Sequence, residues 1–212
     1  MNTCYIVCAL DCVLDFIPDN TDLVIGADRG YLTLVKNEIK PDVVLGDFDS
    51  YSDNIDCKNI IRFPVKKDYT DSALAIEHAI SKGYNRIVVY GAIGGELDHT
   101  IANLALLAYY TQKGINIAFV DNNNIIFALH NGNFAFSSQA KGRISIFSYG
   151  DNADGVCISG LLYELNNASL ENITPLGVSN EFIGKESKIS VEKGTLLIHT
   201  SKENFEKYLT IE

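Results

Sequence analysis

The sequence predicts an α/β N-terminal domain with a mostly parallel sheet flanked by helices, followed by an all-β sandwich C-terminal domain. In the first half, β-branched apolar runs alternate with stretches of helical periodicity, which is typical of parallel strands joined by crossover helices. Beyond about residue 131, short alternating segments separated by turn residues favour antiparallel strands. We therefore expect domains at residues 1–131 and 132–212.

The predicted strands of the first half are short runs rich in Val, Ile and Leu, as buried parallel strands are. They comprise residues 5–10, 23–26, 43–45, 60–63, 87–90 and 117–120. One helix is predicted over residues 71–81, because apolar residues recur on one face and Gly83 follows as a stop. A second is predicted over 97–112, ending before Gly114. Its expected buried face consists of Ile101, Leu104, Ala105 and Ala108.

The second half consists of turn clusters and short alternating segments. Turn residues occur at 122–124, 130–133, 150–152 and 193–194. The predicted strands between and after them include residues 143–149, 155–159, 188–191 and 195–200. No convincing amphipathic helix follows residue 131, which favours an antiparallel sheet arranged as a sandwich or a barrel.

Composition excludes several classes of protein. Of 212 residues, 47% are hydrophobic and 21% charged, which excludes wholesale disorder. The net charge of −10 argues against nucleic acid and anionic membrane surfaces as partners. No apolar run approaches the roughly 20 residues that span a bilayer, and we read no signal peptide. The odd number and spacing of the five cysteines indicate reduced thiols in a cytoplasmic protein.

Aspartates follow three apolar runs at the points where the predicted strands end. They are Asp28, Asp47, Asp49 and Asp98. Because ligands bind beyond the carboxyl ends of strands in an open parallel sheet, we expect one acidic site there. Asp47 and Asp49 follow Gly46 and suit a shared hard cation such as Mg²⁺. Any one of these aspartates taken alone also suits a turn or a helix cap.

The segment that opens the first predicted helix carries lysines and carboxylates. It contains Lys66, Lys67, Asp68, Thr70 and Asp71. Thr70 is the expected N-cap, and Asp71 suits the positive end of the helix dipole. The lysines suit a polyphosphate, which a helix N-terminus also favours. The chain lacks GxxxxGK[ST], so it is not a P-loop kinase.

In order and spacing, these motifs resemble the thiamine pyrophosphokinase (thiamine diphosphokinase) family over nearly the whole chain. The motifs are Gly26-Ala-Asp28-Arg29-Gly30, Gly46-Asp47-Phe-Asp49-Ser50, Lys67-Asp68-Tyr-Thr70-Asp71, Gly94-Gly95-Glu96-Leu-Asp98-His99 with Asn103, and Gly177-Val-Ser179-Asn180-Glu181. The resemblance implies transfer of the pyrophosphoryl group of ATP to thiamine with Mg²⁺, giving thiamine diphosphate and AMP. It also implies a homodimer whose active sites lie between subunits.

The resemblance implies roles for individual residues as well. The implied metal ligands are Asp47, Asp49 and Asp71, and the implied catalytic residues are Asp49, Asp71 and Asp98. The implied ATP- and thiamine-binding residues are Asp28, Arg29, Lys66, Lys67, Asp68, Thr70, His99, Asn103, Ser179 and Asn180. Of these, Ser179 and Asn180 are expected to hold the aminopyrimidine of thiamine from the partner subunit. Which carboxylate acts as general base stays open, because sequence does not give distances.

One position departs from the family pattern, and two other functions stay open. The third motif usually reads GGRLDH, and Glu96 stands in place of the arginine.

A Mg²⁺-dependent nucleotide phosphohydrolase would use the same carboxylates, but it offers no role for Ser179 and Asn180. A non-catalytic thiamine or nucleotide sensor would explain Glu96, but not the presence of the other acidic motif residues.

Overall fold

The computed structural model describes residues 2–48, 55–64 and 69–204. The chain divides into two compact units, the first comprising Met1–Leu106 and Gly114–Asn122, and the second Leu107–Lys113 and Asn123–Glu212. The prediction of a two-domain fold is confirmed. Among the described residues, no helix combines the length and apolarity required to cross a bilayer.

The first unit is built on parallel strands. They are β1 (Cys4–Val7), β2 (Leu23–Ala27), β3 (Val43–Gly46), β4 (Ile60–Arg62), β5 (Arg86–Tyr90) and β6 (Asn116–Val120). Their order is β6-β5-β1-β2-β3-β4, and every adjacent pair is parallel. Every residue of the central strand β1 is buried, which explains the unbroken apolar run in its sequence.

Three helices accompany these strands. They are α1 (Gly30–Lys36), α2 (Asp71–Ser81) and α3 (Leu97–Gln112), and both α1 and α2 pack against β1 and β2. The bounds of α2 and α3 are those predicted. Thr70 is the N-cap of α2, since its Oγ1 accepts a hydrogen bond from the Ala73 N–H at 3.3 Å. Helix α1 was not predicted, because seven residues are too few to establish a helical period.

The predicted buried face of α3 is wrong in part. Ile101 is 55% exposed and Ala105 is also exposed, whereas Asn103, Leu107 and Tyr110 are buried. Apolar residues occur around most of this helix, so periodicity alone does not select a face. The polar Asn103 marks the buried side because its amide is hydrogen-bonded there, as described below.

The second unit is all β apart from short segments. Its strands are β7 (Asn124–His130), β8 (Asn133–Phe136), β9 (Arg143–Ser148), β10 (Ala153–Ser159), β11 (Leu165–Leu170), β12 (Asn180–Glu181), β13 (Ser187–Ser190) and β14 (Thr195–Ser201). Antiparallel neighbours run β12-β9-β14-β7 in one sheet and β11-β10-β13-β8 in another. The last strand, β14, therefore pairs on both edges, with β7 and with β9.

Aromatic rings join the two sheets of this unit. The Phe127 ring of β7 lies 4.7 Å from the Phe134 ring of β8, and the Phe136 ring lies 5.0 Å from that of Phe182, which follows β12. Such pairs bury large apolar area and fix the geometry between sheets. The two sets of antiparallel strands in this unit are therefore in contact through aromatic side chains.

Candidate active site

A cavity of about 330 Å³ lies in the first unit, beyond the carboxyl ends of its strands. The sequence-predicted residues that line it are Asp28, Thr70, Asp71, His99 and Asn103. They come from the end of β2, the start of α2 and the first half of α3. These separate segments meet where open parallel sheets bind their ligands.

Two aspartates and a thiol line this cavity. The pKa of the Cys8 thiol is raised to about 12, first by burial and then by the nearby Cys12, Asp71 and Asp28. Cys8 is therefore protonated at neutral pH and unsuited to act as a nucleophile. Asp28 and Asp71 therefore both lie close enough to Cys8 to contribute to this shift in its pKa.

The ends of β2 and β3 are packed directly against each other. The Asp28 N–H donates to the Leu45 carbonyl oxygen at 2.7 Å, and a Cβ added at Gly46 would lie 3.1 Å from the Asp28 Cα. Asp28 and Phe48 both have left-handed backbones, with φ of 50° and 58°. Such conformations are rare in non-glycine residues and cluster at functional sites. Asp47, which is half-buried, follows Gly46 directly and so starts beside Asp28.

Phe48 is held in its left-handed conformation by packing. It is buried in a cluster with Tyr31 and Val44, and the Arg62 guanidinium lies 4.9 Å from its ring centroid. Burial and the cation–π contact offset the backbone strain. The Phe48 backbone in turn fixes the chain next to Asp47.

Four predicted site residues lie outside the described residues, and others that are described do not line the cavity. The four are Asp49, Lys66, Lys67 and Asp68. Arg29 lines a smaller cavity of about 120 Å³, together with Asp11 and Lys36, that shares Ala9 with the larger one. Asp98 is exposed, and its Oδ1 accepts a hydrogen bond from the His99 N–H at 2.9 Å.

An exposed group of ionisable side chains lies at the rim. Glu96 and His99 both line the cavity, and Glu96 Oε2 is 3.6 Å from His99 Nε2. With Asp98 they form the one group of potential metal ligands, within 4.8 Å of one another, found in the described part of the chain. All three are exposed, so water competes for them and the group does not by itself define a metal site.

A glycine-rich turn after β5 closes one side of the cavity. Gly91 has φ 66°, and a Cβ there would lie 2.4 Å from the Leu10 carbonyl oxygen. Only glycine combines this conformation with so close an approach. The Leu10 N–H also donates to the Gly91 carbonyl oxygen at 3.3 Å, so the turn is tied to the segment that follows β1.

The sequence did not identify several cavity residues. They are Cys8, Ala9, Leu10, Ser72 and Ala92. Most are apolar or contribute backbone, and such residues carry no chemical signal in a sequence. Ser72 is different, since its position next to Asp71 was a usable signal. Its hydroxyl donates to Asn103 Oδ1 at 2.8 Å, and both residues line the cavity.

Ser179 and Asn180 belong to the second unit. Asn180 is 4% exposed, and its Oδ1 accepts from the Tyr163 and Glu181 N–H groups, each at 2.9 Å. Its Nδ2 donates to the Tyr163 carbonyl oxygen at 2.7 Å. Ser179 is exposed with φ 59°, and its N–H donates to Ser145 Oγ at 3.1 Å. Within the chain, Asn180 therefore holds the Tyr163 segment, while Ser179 presents its side chain to solvent.

Comparison with known proteins gives matches in both parts of the chain. Residues 15–119 match the family model for the catalytic domain of thiamin pyrophosphokinase. Residues 135–196 match that for the thiamin pyrophosphokinase vitamin B1 binding domain. Together these matches cover most of the sequence.

Individual relatives agree. The thiamine pyrophosphokinase of Bacillus subtilis is 30% identical over 188 residues, covering 85% of this chain and 87% of the relative. The crystal structure of thiamine pyrophosphokinase from Bacillus subtilis superposes with a TM-score of 0.81, covering 94% of this chain and 98% of that one at 28% identity. The crystal structure of thiamin pyrophosphokinase from Geobacillus thermodenitrificans superposes with a TM-score of 0.82 at 26% identity. The superposition covers 94% of this chain and 97% of that one.

Proposed function

This chain belongs to the thiamine pyrophosphokinase family, and from that membership we infer that it catalyses the family's reaction. It is an ATP-dependent pyrophosphotransferase that converts thiamine and ATP to thiamine diphosphate and AMP. The observation that best supports this chemistry is the convergence of Asp28, Asp71 and the N-terminus of α2 on one cavity.

The charges around the cavity suit both substrates. The thiazolium ring of thiamine is a permanent cation, and carboxylates such as Asp28 attract it. The N-terminus of α2 carries the positive end of the helix dipole, which favours a phosphate. A site of this kind brings the hydroxyethyl oxygen of thiamine and the β-phosphorus of ATP together for in-line attack.

Magnesium fits the residues that are present. Asp28, Asp47 and Asp71 supply hard carboxylate oxygens near the ends of β2 and β3 and at the start of α2, the donor type that Mg²⁺ takes in phosphate-transfer sites. We propose that Asp47, Asp49 and Asp71 hold the ion, which when bound neutralises charge on the triphosphate. The proposed acceptors for the thiamine hydroxyl proton are Asp49, Asp71 and Asp98.

The remaining roles concern substrate binding. We propose that Thr70, Arg29, Lys66, Lys67 and Asp68 orient the polyphosphate region, with Asp28, His99 and Asn103 beside it. Ser179 and Asn180 hold the aminopyrimidine in this proposal.

Incubation with ATP, Mg²⁺ and thiamine tests the reaction directly. Equal amounts of AMP and thiamine diphosphate are expected. Release of phosphate or pyrophosphate from ATP without any need for thiamine would instead indicate a phosphohydrolase. Binding of thiamine or ATP without turnover would indicate a sensor.

We also propose a cytoplasmic homodimer with active sites between subunits. Large apolar side chains are exposed around Ser179 and Asn180 in the second unit, which supports an interface there. They are Leu162, Tyr163, Ile173, Leu176, Val178 and Ile183. The cytoplasmic location is supported by the absence of a disulfide among the described residues, which include all five cysteines.

Mixing two inactive variants tests the shared sites. When Asp71→Asn and Asn180→Ala subunits are unfolded together and refolded, half of the dimers are mixed, and each mixed dimer has one site with neither change. About a quarter of wild-type activity is expected. The mass from light scattering and the circular dichroism of each variant serve as controls. A folded dimer that regains no activity on mixing would place both halves of the site in one subunit.

Glu96→Arg is expected to keep kcat and lower the KM for ATP. Glu96 is exposed at the cavity rim, where its carboxylate repels a triphosphate, and arginine offers a bidentate phosphate contact instead. Steady-state kinetics at saturating thiamine and Mg²⁺ measure both constants, with Glu96→Gln separating loss of the negative charge from gain of a positive one. A collapse of kcat in folded Glu96→Arg would show that Glu96 has a role of its own.

A further inference from the structure

A chain of hydrogen bonds runs along the cavity wall, and we name it the Thr70–Ala92 relay. Thr70 Oγ1 lies 2.9 Å from Ser72 Oγ, and Ser72 Oγ lies 2.8 Å from Asn103 Oδ1. Asn103 Nδ2 donates to the Ala92 carbonyl oxygen at 2.6 Å. Ser72 is 8% exposed and Asn103 is 6% exposed, so water does not replace these bonds readily.

The direction of every proton in the relay follows from the chemistry of its ends. The Ala92 carbonyl oxygen only accepts, so the Asn103 amide must face it with Nδ2 and must face Ser72 with Oδ1. The Asn103 Oδ1 only accepts, so the Ser72 hydroxyl donates its one proton to it. Ser72 Oγ therefore accepts from the Thr70 hydroxyl, whose own oxygen accepts from the Ala73 N–H. Each member is left with one defined orientation.

The relay connects three segments that form the cavity. Thr70 and Ser72 flank Asp71 at the start of α2, Asn103 lies on α3, and Ala92 lies in the turn after β5. Asp71 points to the cavity from between two members of the relay. A shift of the first turn of α2 would therefore move the carboxylate and break the relay at the same time.

We propose that Ser72 is a positioning residue for the pyrophosphoryl transfer. Its hydroxyl, through Asn103, sets the distance between the turn that carries Asp71 and the turn that carries Ala92. This inference rests on the proposed function. The helix itself does not need the Ser72 hydroxyl, because Thr70 already caps α2. Thr70, and not Ser72, therefore provides the local stabilisation of the helix start.

The test compares Ser72→Ala with Ser72→Thr and Ser81→Ala. Ser72→Ala leaves the buried Asn103 Oδ1 without its donor, and we expect kcat to fall about 10- to 100-fold, as small misplacements of reacting groups do. The KM for thiamine should change by less than about twofold, since the relay members Thr70 and Asn103 lie at the polyphosphate of ATP in the proposed function. Ser72→Thr keeps the hydroxyl and should restore kcat to within about threefold of wild type.

Ser81→Ala is the matched control. Ser81 lies in the last turn of the same helix, and its hydroxyl donates to the His78 carbonyl oxygen at 2.7 Å. Its loss should leave kcat unchanged. If Ser72→Ala lowers kcat no more than Ser81→Ala does, or if Ser72→Thr is as impaired as Ser72→Ala, the positioning role is wrong.

A double-mutant cycle covers the case in which Ser72→Ala unfolds. Ser72→Cys keeps the side-chain size with a weaker donor, and it should lie between wild type and Asn103→Ala in kcat. Ser72→Cys combined with Asn103→Ala should cost no more than Asn103→Ala alone, because both act through one relay. Additive losses would overturn the proposal.

The same variants separate this proposal from the proposed function. If wild type forms no thiamine diphosphate, the proposed function fails. The relay is then tested by calorimetric titration, which measures the affinity of each variant for ATP in the presence of Mg²⁺. Weaker ATP binding by Ser72→Ala, with Ser72→Thr and Ser81→Ala unchanged, would support the relay. Equal binding by all of these variants would refute it.

Discussion

Asp71→Asn is expected to lower kcat about a thousandfold, which corresponds to ~4 kcal/mol of transition-state stabilisation, while the fold stays intact. The side chain lines the cavity from the first turn of α2, and asparagine keeps its size while removing its charge. A carboxylate that binds a metal or orients the nucleophile cannot be replaced by a neutral amide. Steady-state kinetics with ATP, Mg²⁺ and thiamine measure the loss, and circular dichroism checks the fold.

Glu77→Gln is a suitable control for this change. It makes the same carboxylate-to-amide replacement on an exposed position of the same helix, and it should leave kcat near the wild-type value. Turnover by Asp71→Asn within about tenfold of wild type would remove Asp71 from the catalytic and metal-binding residues. Unfolding of Asp71→Asn alone would instead assign it a structural role.

Gly30→Ala is expected to destabilise the protein by about 3–5 kcal/mol, among the largest effects of a single methyl group. A Cβ at this position would lie 1.8 Å from the Val7 carbonyl oxygen and 3.0 Å from the Cys8 backbone nitrogen. Both are backbone atoms at the end of β1, so no side-chain rotation relieves the overlap. The start of α1 must move away from β1. Urea unfolding followed by circular dichroism gives the free energy of unfolding.

Gly132→Ala provides the comparison. The nearest atoms to a Cβ at Gly132 lie at 3.5 Å, which is ordinary van der Waals contact, and we expect a change below about 1 kcal/mol. If both substitutions had the same small effect, the close approach of Gly30 to β1 would be absent in solution.

The sequence predicted best those helices and strands whose ends carry capping or terminating residues or whose interior is an unbroken apolar run. Helix α2 begins after Thr70, a hydroxyl that caps it, and it stops before Gly83. The buried strands of the first unit showed as unbroken apolar runs. Helix α1 and the two-residue strand β12 lacked both kinds of signal, because neither is long enough to show a period.

The charged residues of the candidate site were predictable from the sequence, whereas the residues that only tertiary packing brings together were not. Asp28 stood out because it follows an apolar strand, and Asp71 because it opens a predicted helix next to lysines; both line the cavity. The buried side of α3 was missed because Asn103 is polar and its partners, Ser72 and Ala92, are distant in sequence. Long-range hydrogen bonds of this kind depend on strand order, which a single sequence does not contain.

The central place of β14 has a consequence for how the protein is made. β14 is the last of the described strands, yet it supplies the pairing partners for both β7 and β9. While the ribosome is still adding residues 195–201, β7 and β9 have already emerged with open edges that attract other strands. This sheet is therefore completed only after residues 195–201 have emerged, and a premature stop before residue 195 removes the middle of the sheet rather than its margin.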